Sequence, residues 1–157
     1  MSSAVQLCAR CISDWWCAMT PYEDIYTRFL TKVTDFNLLS LNDEDLHNMM
    51  YNWLRSAVSK QKVFENPFTF DDDNLCFNED LTNTEMEVLA VGMAIEWLEP
   101  QVNSATLTMQ VFSSSDEKYY SQANHLSELR GRLKEMKTER RKLVRDFQYD
   151  RFARNGA

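Results

Sequence analysis

Residues 116–149 read DEKYYSQANHLSELRGRLKEMKTERRKLVRDFQY. Within this stretch Tyr119, Leu126, Leu133, Arg140 and Phe147 recur every seven residues, and Leu129, Met136 and Leu143 fall three places after the second, third and fourth of them. That is the spacing of a helix with a single apolar seam, flawed at Arg140. Gly131 falls on the outward side, where it costs only about 1 kcal/mol of helix propensity. Ser114-x-x-Glu117 forms a capping box at the start. The pattern therefore predicts a helix from about Asp116 to Tyr149 or beyond. At about 1.5 Å per residue such a helix is on the order of 50 Å long. A compact domain of this length has a radius of gyration of roughly 15 Å, equivalent to a sphere about 40 Å across. The helix is expected to overhang its own domain and to offer its far end to another chain.

The charge is divided along the same boundary. Residues 118–157 carry eleven Lys/Arg against five Asp/Glu, a net of +6, whereas residues 1–117 carry six against nineteen, a net of −13. A field split in this way governs what a protein attracts and repels. The basic run from Lys134 to Arg145 has two readings. It is either the solvated side of a long helix, held by exchangeable pairs worth a few tenths of a kcal/mol each, or a surface for phosphate or an acidic protein. The far end adds aromatics to the cations. Arg140, Arg141, Lys142, Arg145, Phe147, Tyr149, Arg151, Phe152 and Arg154 are the interface candidates there.

Upstream, Thr20-Pro21-Tyr22-Glu23 matches a capping box with proline at the first helical position. Tyr22, Ile25, Tyr26, Phe29, Leu30 and Val33 then repeat at spacings of three and four, one face of a first helix. A second begins near Asn42 or Asp43, where Asp43, Glu44 and Asp45 meet the positive end of the helix dipole, and its apolar stripe runs Leu46, Met49, Met50, Trp53, Leu54, Ala57, Val58. Between Lys62 and Asp80, Phe64, Pro67, Phe68, Phe70, Leu75 and Phe77 alternate loosely around Asp71-Asp72-Asp73-Asn74, the pattern of a short hairpin turning at the acidic run. Thr82-x-x-Glu85 and Thr84-x-x-Glu87 are rival caps for a third helix, apolar around most of its circumference and ended by Pro100. Leu107, Met109 and Val111 alternate with polar residues beyond it, as a short strand or an extended arm.

These elements describe a mainly α protein, a bundle of about four helices with a long C-terminal helix and a short β-hairpin. The chain divides into an N-terminal extension at 1–19, a helical core at 20–115 with its acidic loop, and the basic helix and tail at 116–157. Its 157 residues, 44% apolar, suffice for one core. No apolar run approaches the ~18 residues of a membrane span, and no secretory pattern opens the chain, so an intracellular, non-membrane protein is expected.

The residues that carry chemistry are sparse. The glycines Gly92, Gly131 and Gly156 are isolated, so neither a phosphate-cradling loop nor a dinucleotide fingerprint can be built. Cys8-x2-Cys11 is half of a zinc knuckle, but His47 and His125 lie far along in predicted helices, and incidental reduced thiols are the plainer reading. A calcium loop opening at Asp71 fails at Leu75 and Cys76, where an oxygen ligand and a glycine are required. No catalytic residue, metal or cofactor is expected. Trp15 and Trp16, adjacent in an aperiodic leader, are anchors for a neighbour.

Pro21-Tyr22-Glu23-Asp24-Ile25-Tyr26-x-Arg28-Phe29-Leu30, Trp97-Leu98-Glu99-Pro100 and Tyr120-Ser121-Gln122-Ala123-Asn124-His125-Leu126, taken with the helix order, resemble segments of small structural proteins of tailed bacteriophages of Gram-positive hosts. The resemblance covers about residues 20–150. It implies a head-tail connector (adaptor, neck) subunit of the virion: about twelve identical copies in a ring, between the portal protein and the tail or head-closure proteins, assembled in the host cytoplasm. The ring would extend the DNA channel, with DNA passing and no sequence-specific binding. On that reading Asp71, Asp72, Asp73, Glu79 and Asp80 are channel-facing candidates whose charge repels phosphate. Two rivals stand beside it: a nucleic-acid-binding module using the basic helix, and a coiled-coil adaptor dimer joined through the heptad seam.

Overall fold

The computed structural model describes residues 19–33, 35, 38, 40–61, 68–111 and 117–155. The fold is mainly helical. The elements whose bounds fall in the described residues are four helices, α1 (Tyr22–Lys32), α2 (Asp43–Ser59), α3 (Asn83–Val111) and α4 (Glu117–Asn155), and three two-residue strands, β1 (Thr20–Pro21), β2 (Phe70–Asp71) and β3 (Cys76–Phe77). The strands form one antiparallel sheet in the order β1-β3-β2, with Thr20 and Phe70 both opposite Phe77. The hairpin at the acidic run is therefore present, and it carries a third strand that the sequence pattern did not announce.

α3 is the centre of the molecule and packs against each of the other helices. Every residue from Val88 to Ile95 is buried, as are Leu98 and Val102. A helix apolar on all sides needs partners on all sides. Tyr22, Ile25, Tyr26, Phe29 and Val33 of the first helical segment supply one, and Met50, Leu54 and Ala57 of α2 another. Leu30 and Met49 fall off the predicted faces and are exposed. Gly92 lets α2 and α3 approach closely: a Cβ there would stand 3.0 Å from that of Ala57.

Pro100 does not end α3, which continues to Val111. Proline removes one backbone donor and costs roughly 3 kcal/mol in a helix interior. Here the ring faces solvent, while Leu98 and Val102 on the other side are buried. Gln101 and Thr106 side chains donate to the carbonyls of Trp97 and Val102, one turn back. Continued burial of the inner face outweighs the proline, and Leu107 and Met109 are helical, not a strand or an arm.

Thr20 does not cap α1 either. It belongs to β1, where its Oγ1 accepts from the Leu81 backbone N–H at 2.8 Å, and Pro21 takes the N-cap position without a side-chain bond. The free N–H of Tyr22 instead donates to the Leu75 carbonyl at 3.0 Å. Leu75 adopts a left-handed φ of 53° and is exposed. The hairpin thus caps α1, a long-range arrangement that no local motif signals. The cap of α2 is as read: Asn42 Oδ1 accepts from Asp45 N–H at 2.7 Å. Thr82 and Glu85 close a full capping box before α3, whereas Glu87 of the rival motif turns to Lys32 and Arg28 of α1. The box proposed at Ser114 lies outside the described residues.

The heptad seam of α4 is filled within the chain. Leu126 and Met136 are buried, and Leu129, Leu133 and Leu143 pack on the same core, to which α3 contributes most. Lys137 Nζ donates to Glu99 Oε1 at 2.7 Å across that contact. α4 and the preceding helices therefore share one core up to Leu143. Gly131 faces open space, as its position on the outward side predicts.

Candidate assembly interface

α4 is 39 residues long, about 58 Å at ~1.5 Å per residue. Leu143 packs on the core, and half-buried side chains follow it along the same side of the helix. The helix continues twelve residues further to Asn155, a length of about 18 Å. From Arg140 onward the helix has two different sides. Arg140, Val144, Phe147 and Arg151 are half-buried and continue the inner face. Arg141, Lys142, Arg145, Tyr149 and Phe152 are exposed, Tyr149 at 68% and Phe152 at 79%.

The exposed set is not scattered. With a step of about 100° per residue, Arg141, Phe152, Arg145, Tyr149 and Lys142 follow one another within about 100° of the helix circumference. Asp146 and Asp150 lie outside that arc, although Asp146 sits 3.7 Å from Arg145 Nε. The result is a stripe of three cations and two aromatic rings. The sequence candidates thus divide: Arg141, Lys142, Arg145, Tyr149 and Phe152 share the outer side, while Arg140, Phe147 and Arg151 belong to the inner. Arg154 lies in the last turn of α4. Trp15 and Trp16, with Cys8, Cys11 and Cys17, lie outside the described residues; Cys76 is buried in β3 and is in no disulfide among the described residues.

The acidic candidates around the hairpin have separate tasks. Asp71 accepts from the backbone N–H and side-chain amide of Asn74 and shapes the turn. Glu79 Oε2 accepts from Thr69 N–H at 2.9 Å. Asp72 Oδ1 accepts from both Tyr51 Oη at 2.7 Å and Tyr22 Oη at 3.2 Å, and Arg55 Nη1 lies 3.7 Å from its other oxygen. Arg55 also donates to Tyr51 Oη and stands 5.0 Å over the Phe70 ring. Burial, then the Asp72 hydrogen bond, hold the Tyr22 hydroxyl well above its ordinary range. Asp73 and Asp80 are exposed.

Sequence spacing gave no sign of a second feature. His47 Nδ1 donates to the Asp43 carbonyl at 2.7 Å, its Nε2 lies 3.5 Å from Glu23 Oε2, and its ring meets that of Tyr26 edge-on. These contacts bring the first turns of α1 and α2 together beside the hairpin. The pairings join residues far apart in the chain, so only the folded arrangement reveals them. Among the described residues no group of three or more metal-ligating side chains assembles, and no helix is long and apolar enough to cross a membrane. Comparison with protein families, curated proteins and solved structures gives no match.

Proposed function

We propose that this protein is a ring-forming head-tail connector of a tailed bacteriophage, a structural subunit without enzymatic activity that sits between portal and tail. The observation that carries the reading is the outer stripe of α4: Arg141, Lys142, Arg145, Tyr149 and Phe152, three cations and two aromatics, stand exposed together on one side of its last turns. A surface of that kind suits a partner outside the subunit. Unlike patches on one chain favour head-to-tail contacts, and such contacts close into rings when the rotation allows. The resemblance of residues 20–150 to phage structural proteins supplies the biological setting. About twelve copies would meet the portal on one side and tail or head-closure proteins on the other, in the virion neck, after assembly in the host cytoplasm. The negative body would let DNA pass without binding it. The test is to mix the protein with portal particles and image them: added ring density coaxial with the portal is expected, and bare portals at saturating protein contradict the proposal.

Direct nucleic-acid binding by α4 is the second reading, favoured by the same exposed cations. It predicts duplex binding that weakens steeply with salt. The dimer through the heptad seam is the less favoured reading, because α3 of the same chain packs against α4, where Leu126 and Met136 are buried.

A further inference from the structure

We infer that the outer stripe of α4, formed by Arg141, Lys142, Arg145, Tyr149 and Phe152, docks on the acidic side of a second copy of this chain, where the first turns of α1 and α2 meet the hairpin. The inference deepens the connector reading and rests on its premise that identical subunits associate.

Charge complementarity chooses the occupant. Glu23, Asp43, Glu44, Asp72 and Asp73 are all exposed. They are neighbours in space through two contacts on successive turns of α2. His47 ties Glu23 to the start of α2, and Tyr51, four residues on, ties in Asp72. From Asp43 to Tyr51 this row extends about 12 Å along α2, and the donor stripe from Arg141 to Phe152 about 16 Å. Arg55 is the cation at its edge, and Asp72 and Tyr51 already engage it. Three cations thus meet Glu23, Asp43, Glu44 and Asp73, beside an Asp72 that Arg55 holds, over similar lengths. Tyr149 and Phe152 give the contact apolar area that a phosphate backbone would not bury, which favours a protein surface over DNA. Opposed fields at this range set register and speed encounter.

The contact is heterologous, so a charge swap tests it. Arg141→Glu/Arg145→Glu changes the stripe, and Glu23→Lys/Glu44→Lys changes the row; all four side chains are exposed, and circular dichroism checks that each variant folds. Association is followed by sedimentation velocity at low salt, with a short DNA duplex in a parallel series. Each variant alone is expected to associate at least tenfold more weakly than the wild type, and an equimolar mixture of the two to recover association. Undiminished assembly of both variants overturns the contact and leaves the ring reading standing. Loss in both variants without recovery on mixing also overturns it. Recovery confined to dimers supports the contact and overturns the ring. A wild type that stays monomeric but shifts the duplex, with the shift lost in the stripe variant, assigns the stripe to nucleic acid and overturns the inference.

Discussion

At Gly92 the absence of a side chain decides how closely two helices pack. Gly92→Leu is expected to destabilise the fold by about 1–3 kcal/mol, because the added atoms meet Ala57 between α2 and α3 and cannot be relieved by a rotamer change alone. Gly131→Ala should do the opposite, gaining about 0.5–1 kcal/mol from helix propensity, since nothing stands within 4 Å. Urea unfolding of the two variants measures both. The buried tyrosines give a pH dependence. Tyr22 and Tyr26 are held above their ordinary value of 10.0, chiefly by burial. Below that value both states are protonated and the full stability is present. Above it the unfolded chain loses protons that the folded chain keeps, so stability falls as pH rises. Wild type should lose stability between pH 10 and 11, and Tyr22→Phe/Tyr26→Phe should lose less over the same interval.

Elements show where local rules meet the rest of the molecule. Pro100→Ala is expected to stabilise α3 by about 1–2 kcal/mol, the regained hydrogen bond and propensity being partly offset by a more flexible unfolded chain; thermal unfolding checks it, and a loss of stability would mean that the proline is needed for the packing of α3. The helical periodicities of α1, α2 and α4 were legible because each has one wet face, and the buried belt Val88–Ile95 because it has none. The end of α3 was not, since proline is a strong local stop and only the burial of Leu98 and Val102 overrides it. The cap of α1 was misplaced for a related reason: Thr20 answers to Leu81 and Tyr22 to Leu75, partners more than fifty residues away. At the candidate interface the residue types were legible and their grouping was not. Helical phase separates Arg141, Lys142, Arg145, Tyr149 and Phe152 from Arg140, Phe147 and Arg151, and the inner side becomes visible only when α3 is in place.

In the whole molecule, ion pairs tie the helices around one core. Lys60 of the α2 C-cap bridges Glu96 and Glu99 on α3, and Glu99 is bridged in turn by Lys137 on α4. Lys137 holds the Glu99 carboxyl below its ordinary range, and Glu96 raises the Lys60 ammonium. These cations are engaged inside the subunit, whereas Arg141 and Lys142 have no ion pair to another described residue. The +6 of residues 118–157 is thus divided between cations that close the fold and cations that stay exposed on α4. That division is the reason to read the charge split as an assembly device. The most direct test is native mass of the full chain over a range of concentrations at low salt. A closed species at about twelve times the 18.5 kDa subunit, dissociating as salt screens the contact, is the predicted result. A monomer or dimer at every concentration would contradict the account.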